Sequence, residues 1–159
     1  MLTQMSIRNF ALIEQMNISF NDGITIFTGE TGAGKSILMD AFSILLGERA
    51  SSEFIRHGKD SFVIDGIFDI ANHQSLLDLL QSKNILVEDN QLILSRSFNT
   101  SGKSIILAND QPIPLKALKE IGLLLADIHG QYSNQKLLNP DSHHEYLDGY
   151  NQAGSKAYK

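Results

Sequence analysis

The chain has no cysteine, which excludes a disulfide framework and any thiolate-bound metal and fits a reducing compartment. It has no apolar run approaching the roughly 18 residues that a membrane-spanning helix requires. Its opening stretch, MLTQMSIRNF, lacks a basic region followed by an apolar segment, so no secretory signal is expected. Positive charge is also scarce. With 13 Lys and Arg against 18 Asp and Glu, the net charge is -5. The pI near 5.4 argues against a broad DNA-binding face on these residues. Lys103, Lys116, Lys119 and Lys136 are dispersed and read as solvated surface.

What is present is ordinary for a soluble globular fold. The 159 residues are 42% hydrophobic and 19% charged, enough for one domain with a real core. LTQMSIRNF and LIEQMNISF alternate polar with apolar residues and predict two antiparallel strands joined around Asn9 to Ala11. NDG at Asn21 to Gly23 is a turn, and ITIFT predicts a buried strand behind it. SILMDAFSILLG then places Ile37, Leu38, Ala41, Ile44 and Leu45 on one helical stripe, with Gly47 as its stop.

Further along, ERASSEFIRHGKD reads as a loop or short helix and SFVIDGIFDI as a strand whose Asp65 and Asp69 face solvent. Asn72 is placed to cap a helix over HQSLLDLLQS. QLILSRSF and KSIILAN predict a hairpin across NTSG, and DQPIP a turn. LKALKEIG predicts a short helix, LLLADIH a buried strand, and Ser142 to Tyr150 a last helical piece. The order is mixed α/β, with strands enriched early and no internal repeat.

Gly29 to Ser36, GETGAGKS, matches the phosphate-loop pattern G-x-x-x-x-G-K-S in full, between an expected apolar strand and an amphipathic helix. Gly29, Gly32 and Gly34 permit backbone angles and close approaches that a Cβ forbids. Successive N–H groups then form an anion nest at a helix N-terminus. Lys35 reaches the terminal phosphates as a point charge, and Ser36 offers a hydroxyl to Mg²⁺.

The second triplet, Gly102-Lys103-Ser104, fails the same test. Ser97 stands where the first glycine belongs, and a strand rather than a helix follows. Asp127, after LLLA, is equally compatible with a magnesium ligand and with a structural strand-end residue. His57, His143 and His144 form no metal-spaced set.

IRNFALIE, TGETGAGKSILMDAFSILLGERA, FIRHGK and DIHGQYSNQKLL, in this order, resemble the RecN family of bacterial DNA-repair ATPases, relatives of the structural-maintenance-of-chromosomes (SMC) proteins. The resemblance runs from Met1 to about Tyr150. It implies an α/β fold, a P-loop NTPase of the ABC/SMC head type. Residues 1-150 would be its N-terminal lobe, with an antiparallel strand portion and a P-loop strand–helix unit. Residues 151-159 would be a polar tail where a coiled coil starts.

The resemblance further implies ATP and Mg²⁺ as cofactors, with nucleotide contacts from Gly29, Glu30, Thr31, Gly32, Ala33, Gly34, Lys35, Ser36 and Ile37. Arg8, Asn9 and, more loosely, Arg56 would add to these. Gln131 would be the Q-loop glutamine, so that Lys35 and Gln131 carry the catalytic roles while Ser36 and Gln131 meet the metal. Asp127 then lies on the strand leading into that loop and is not the metal carboxylate of the second Walker motif.

The implied partners are a C-terminal lobe and coiled coil of the same protein, a second head through homodimerisation, and DNA for the whole protein, with no membrane. The implied location is cytoplasmic and nucleoid-associated. No LSGGE-type signature, no apolar strand ending in Asp-Glu and no switch histidine occurs here. The expectation is therefore a lobe cut from a longer protein, inactive or very weak as an ATPase by itself.

Two departures from the family pattern stand in the hairpin. Ser95 occupies a usual arginine position, and Lys103 stands in GKS where GRS is usual; ND replaces an NG turn just beyond. Two other classes remain open on the residues alone. One is a stand-alone P-loop phosphotransferase, for which Arg8, Arg49, Arg56 and Arg96 are few arginines; the other is a non-catalytic, nucleotide-dependent interaction domain.

Overall fold

The computed structural model describes residues 1–28 and 33–126, with only the backbone of Ala33. Six strands form one antiparallel sheet: β1 (Leu2–Phe10), β2 (Ile13–Ser19), β3 (Ser61–Asp69), β4 (Gln91–Asn99), β5 (Ser104–Ala108) and β6 (Gln111–Pro112). Their order is β2-β1-β3-β4-β5-β6. Among the described residues three α-helices accompany the sheet: α1 (Ala33–Leu45), α2 (Gln74–Ser82) and α3 (Leu115–Leu125).

Period-2 patterning puts one face of the sheet into the core. Met5 and Ile7 of β1, Phe62, Ile64 and Phe68 of β3, Leu92 and Leu94 of β4, and Ile106 and Ala108 of β5 are all buried. They meet Ala41, Ile44 and Leu45 of α1, the stripe anticipated from its 3.6-residue period, while Ile37 and Leu38 stay half-buried. Full burial of such a side chain contributes about 1.5–3 kcal/mol.

α1 lies against β3 and β4 at close range. Gly66 of β3 makes that approach possible, since a Cβ there would come within 2.6 Å of Leu45 Cδ2. The helix then stops as anticipated. Gly47 has φ +113, its amide donates to Ile44 O at 3.1 Å and the amide of Glu48 to Ser43 O at 2.9 Å, a Schellman ending.

The hairpin across NTSG is present. Asn99 Oδ1 accepts from the Lys103 amide at 2.9 Å and from Ser101 Oγ at 2.7 Å, and Gly102 supplies φ +81. Gly102 and Lys103 thus lie in a turn closed on itself, and Ser104 opens β5.

Four expectations are corrected. The stretch ITIFT is not a buried strand: residues 24–28 are outside every strand and exposed, Ile24 at 92% and Ile26 at 78%. A strand is stabilised only beside a hydrogen-bonding neighbour, and among the described residues none flanks this segment. The strand–helix unit is therefore present as its helix alone.

LLLADIH does not begin as a strand either, because α3 continues through Leu125. Gly122, read as a helix end, sits inside α3 because the backbone of Leu46 packs where its side chain would be. Asn72 caps nothing. The N-cap of α2 is His73, without a side-chain hydrogen bond, while Asp69 Oδ1 closes the preceding turn by accepting from the Ala71 amide at 3.0 Å. In DQPIP, finally, Gln111–Pro112 forms the short edge strand β6, and the turn falls on Asn109 and Asp110, with φ 45 and 62. An edge strand tolerates proline because its outward N–H is not needed.

The expected strand residues 127–129, Asp127 among them, lie outside the described residues, as do His143, His144 and the expected helix at residues 142–150.

Candidate functional site

Ala33 to Ser36 form the first turn of α1, at the positive end of the helix dipole. Gly34, Lys35 and Ser36 are exposed, and Ile37 is half-buried at the edge of the core. A Cβ built on Gly34 would meet nothing within 4 Å among the described residues. Packing against those residues therefore does not require glycine at this position. The open space is what a phosphate cradle needs, since the cradle's ligand must come close to the backbone. Residues Gly29, Glu30, Thr31 and Gly32 of the same loop, and Gln131, lie outside the described residues.

Arg8, Asn9 and Arg56 are brought together at the β1–β2 turn. Asn9 has φ 54 and its carbonyl accepts from the Arg56 amide at 2.9 Å. The Arg56 side chain is already engaged: Nη1 donates to Leu12 O at 2.6 Å and Nη2 lies 3.6 Å from Glu14 Oε2. Phe10 stacks on Phe54 with ring centroids 5.1 Å apart, which holds FIRHG against the end of β1.

Arg8 points to the solvent face of the sheet, with Nη2 3.5 Å from Asp65 Oδ2. Ser95, standing where the family pattern usually has arginine, donates from Oγ to Asp65 Oδ1 at 2.6 Å. The carboxylate of Asp65 is thereby shared across β1, β3 and β4. Asp65 and Asp69 do face outward as expected, but each has a defined partner.

Sequence reasoning missed Arg96. It is 2% exposed, the one buried charged side chain among the described residues. Its Nη1 donates to Ile44 O at 2.5 Å and to Glu48 O at 2.6 Å, both at the end of α1 opposite Lys35. Burial holds the guanidinium below its ordinary pKa, and the Glu48 carboxylate opposes that shift. A signal was available: in QLILSRSF, Arg96 follows Leu92 and Leu94 at period 2, which points it inward.

Among the described residues no helix is long and apolar enough to cross a membrane.

The AAA domain family model matches residues 4–121. The chain is 43% identical over 150 residues to the DNA repair protein RecN of Bacillus subtilis (strain 168), covering 94% of this chain and 26% of that protein. It thus spans about a quarter of the length of such curated relatives. The fold resembles a solved SMC ATPase studied for ATP-driven dimerization and DNA-stimulated activation. That likeness has a TM-score of 0.66 at 16% identity, over 92% of this chain and 97% of the other. It also resembles the SMC head domain from Thermotoga maritima, with a TM-score of 0.63 at 19% identity, over 92% of this chain and 56% of that one.

Proposed function

This chain belongs to the AAA domain family, and we propose that it is the ATP-binding N-terminal lobe of a RecN-like protein acting in DNA double-strand-break repair and recombination. The observation that carries the reading is the position of Lys35 and Ser36. They are exposed on the first turn of α1, and no described residue comes within 4 Å of where a Cβ on Gly34 would stand.

ATP would lie with its phosphates on the amides of Gly29 to Ser36 and with the Lys35 ammonium on the terminal pair. Ser36 and Gln131 would meet Mg²⁺, which supplies charge neutralisation between the phosphates. Glu30, Thr31, Gly32, Ala33 and Ile37 would complete the nucleotide's surroundings. Arg8, Asn9 and Arg56 would approach it from the β1–β2 turn.

Hydrolysis is in-line attack of water on the γ-phosphoryl group, driven by positioning and charge stabilisation. We assign that step to a head completed by a C-terminal lobe and paired with a second head, with DNA as the whole protein's partner. Residues 1-150 form the lobe, and residues 151-159 lead toward the coiled coil. The setting would be the cytoplasm, at the nucleoid.

A ligand that binds only the folded chain stabilises it by about 2.7 kcal/mol at a hundred times its Kd. Magnesium-ATP is accordingly expected to raise the Tm of the wild-type chain and leave Lys35→Ala unmoved. Turnover by the 159-residue chain is expected to be near zero. A Tm unaffected by ATP up to millimolar concentration would overturn the binding assignment.

A further inference from the structure

We infer that Arg96 is a positioning residue: from β4 it clamps the C-terminal end of α1 and so sets where the phosphate-binding first turn of that helix lies. The inference rests on the nucleotide reading of Gly29 to Ser36, but its structural half stands apart from it.

Stability alone does not account for an arginine here. Its register neighbours on the core face, Leu92 and Leu94, are fully buried and apolar. Burying a guanidinium carries a desolvation penalty that an apolar side chain of similar volume avoids, so such a replacement is often neutral or stabilising. The penalty is not fully offset, because Arg96 Nε is buried with no hydrogen-bond partner among the described residues.

What the guanidinium supplies is direction. Ile44 O already accepts from the Gly47 amide in the Schellman ending, and its remaining lone pair takes Arg96 Nη1. Glu48 O, just past the helix, takes the same nitrogen. One rigid planar group thus ties the last turn of α1 to the residues that follow it, at the negative end of the helix dipole.

Other close contacts around this end are steric: Leu45 against Gly66, Lys119 against Gly47, and Leu46 against Gly122. Such contacts limit approach but resist sliding and tilting weakly, whereas two hydrogen bonds from one nitrogen to carbonyls on either side of the helix end resist both.

The lever is long. The 13 residues of α1 make a rod of about 20 Å. A tilt of about 5° at the clamped end moves the first turn by roughly 2 Å. Misplacement of about 1 Å is enough to cost on the order of a hundredfold in a reaction that depends on positioning.

The test compares Arg96→Met and Arg96→Lys with a truncation in α2, Leu80→Ala or Leu80→Val, whichever loses the same Tm as the arginine variant. Amide hydrogen exchange over residues 33–46 is read at equal distance below each Tm, and fluorescent ATP-analogue binding with Mg²⁺ is read alongside. Arg96→Met is expected to speed exchange over that span about tenfold relative to the Leu80 control and to weaken nucleotide binding at least fivefold. Arg96→Lys, which keeps a charged donor on a shorter and non-planar head, should fall between.

Exchange equal to the Leu80 control overturns the clamp. Faster exchange with nucleotide affinity equal to the control overturns the positioning role. Should Arg96→Met fail to fold, Arg96→Lys carries the same comparison with a smaller expected loss. Failure of the nucleotide reading shows separately, as a wild-type signal no greater than that of Lys35→Ala. The exchange measurement then decides by itself whether Arg96 orders the first turn.

Discussion

Gly122, inside α3, lies so close to Leu46 that a Cβ at that position would overlap the Leu46 carbonyl oxygen. Helix propensity alone favours Gly122→Ala by about 1 kcal/mol. The overlap is with backbone, which cannot rotate away, so overpacking decides the sign. The variant is expected to lose about 1–3 kcal/mol of stability, read by urea unfolding. A gain in stability would show that α1 and α3 are not docked through this contact.

Asn109 and Asp110 form a two-residue turn with both φ values positive, a geometry that favours Asn-Gly. Asp110→Gly is therefore expected to gain about 0.5–1 kcal/mol by relieving a left-handed residue. Asn109 behaves differently. Its Oδ1 accepts from the Ile93 amide at 2.7 Å and its Nδ2 donates to Leu86 O at 2.6 Å. Asn109→Gly loses these bonds, and a longer one from Nδ2 to Gln91 O at 3.2 Å, and should cost about 1–2 kcal/mol despite the same φ. Opposite signs in adjacent positions, measured by thermal unfolding, are the expected outcome.

Lys83 Nζ lies 2.5 Å from Glu120 Oε2, linking the end of α2 to α3. That hydrogen bond holds the Glu120 carboxyl below its ordinary pKa, opposed by desolvation and assisted by the charges of Lys83 and Lys116. A depressed folded-state pKa means stabilisation that is full above the ordinary glutamate value, about 4.3, and fades as pH falls through the lower folded value. The Tm gap between wild type and Glu120→Gln should be present at pH 7 and closed at the acid end of that window. A gap that persists in acid would assign the effect to packing instead.

The antiparallel portion of the fold was readable because each strand there carries its own register. Alternation in LTQMSIRNF and QLILSRSF fixes which residues face inward, and NTSG closes a hairpin locally. ITIFT was not readable in the same way. Its apolar content matches a buried strand, but burial depends on a neighbour that no short stretch encodes. Gly122 misled for a related reason: a glycine near a helix end usually marks a stop, and only packing against Leu46 distinguishes a close approach from a terminus.

At the site, residue types and spacing pointed to Gly34, Lys35 and Ser36 as the phosphate loop, and they predicted a hairpin turn at the second triplet, which the hydrogen bonds bear out. Arg96 was legible as an inward position and overlooked as a function, because its partners are carbonyls 48 and 52 residues away. Main-chain acceptors leave no trace in a sequence.

The central claim is that one GKS triplet of the two holds nucleotide. Its most direct measurement is equilibrium titration of a fluorescent ATP analogue with Mg²⁺ onto the wild-type chain, Lys35→Ala and Lys103→Ala. The account predicts saturable binding by wild type and Lys103→Ala alike, and at least a tenfold loss in Lys35→Ala. Binding by Lys35→Ala at wild-type strength, or its loss in Lys103→Ala, would contradict it.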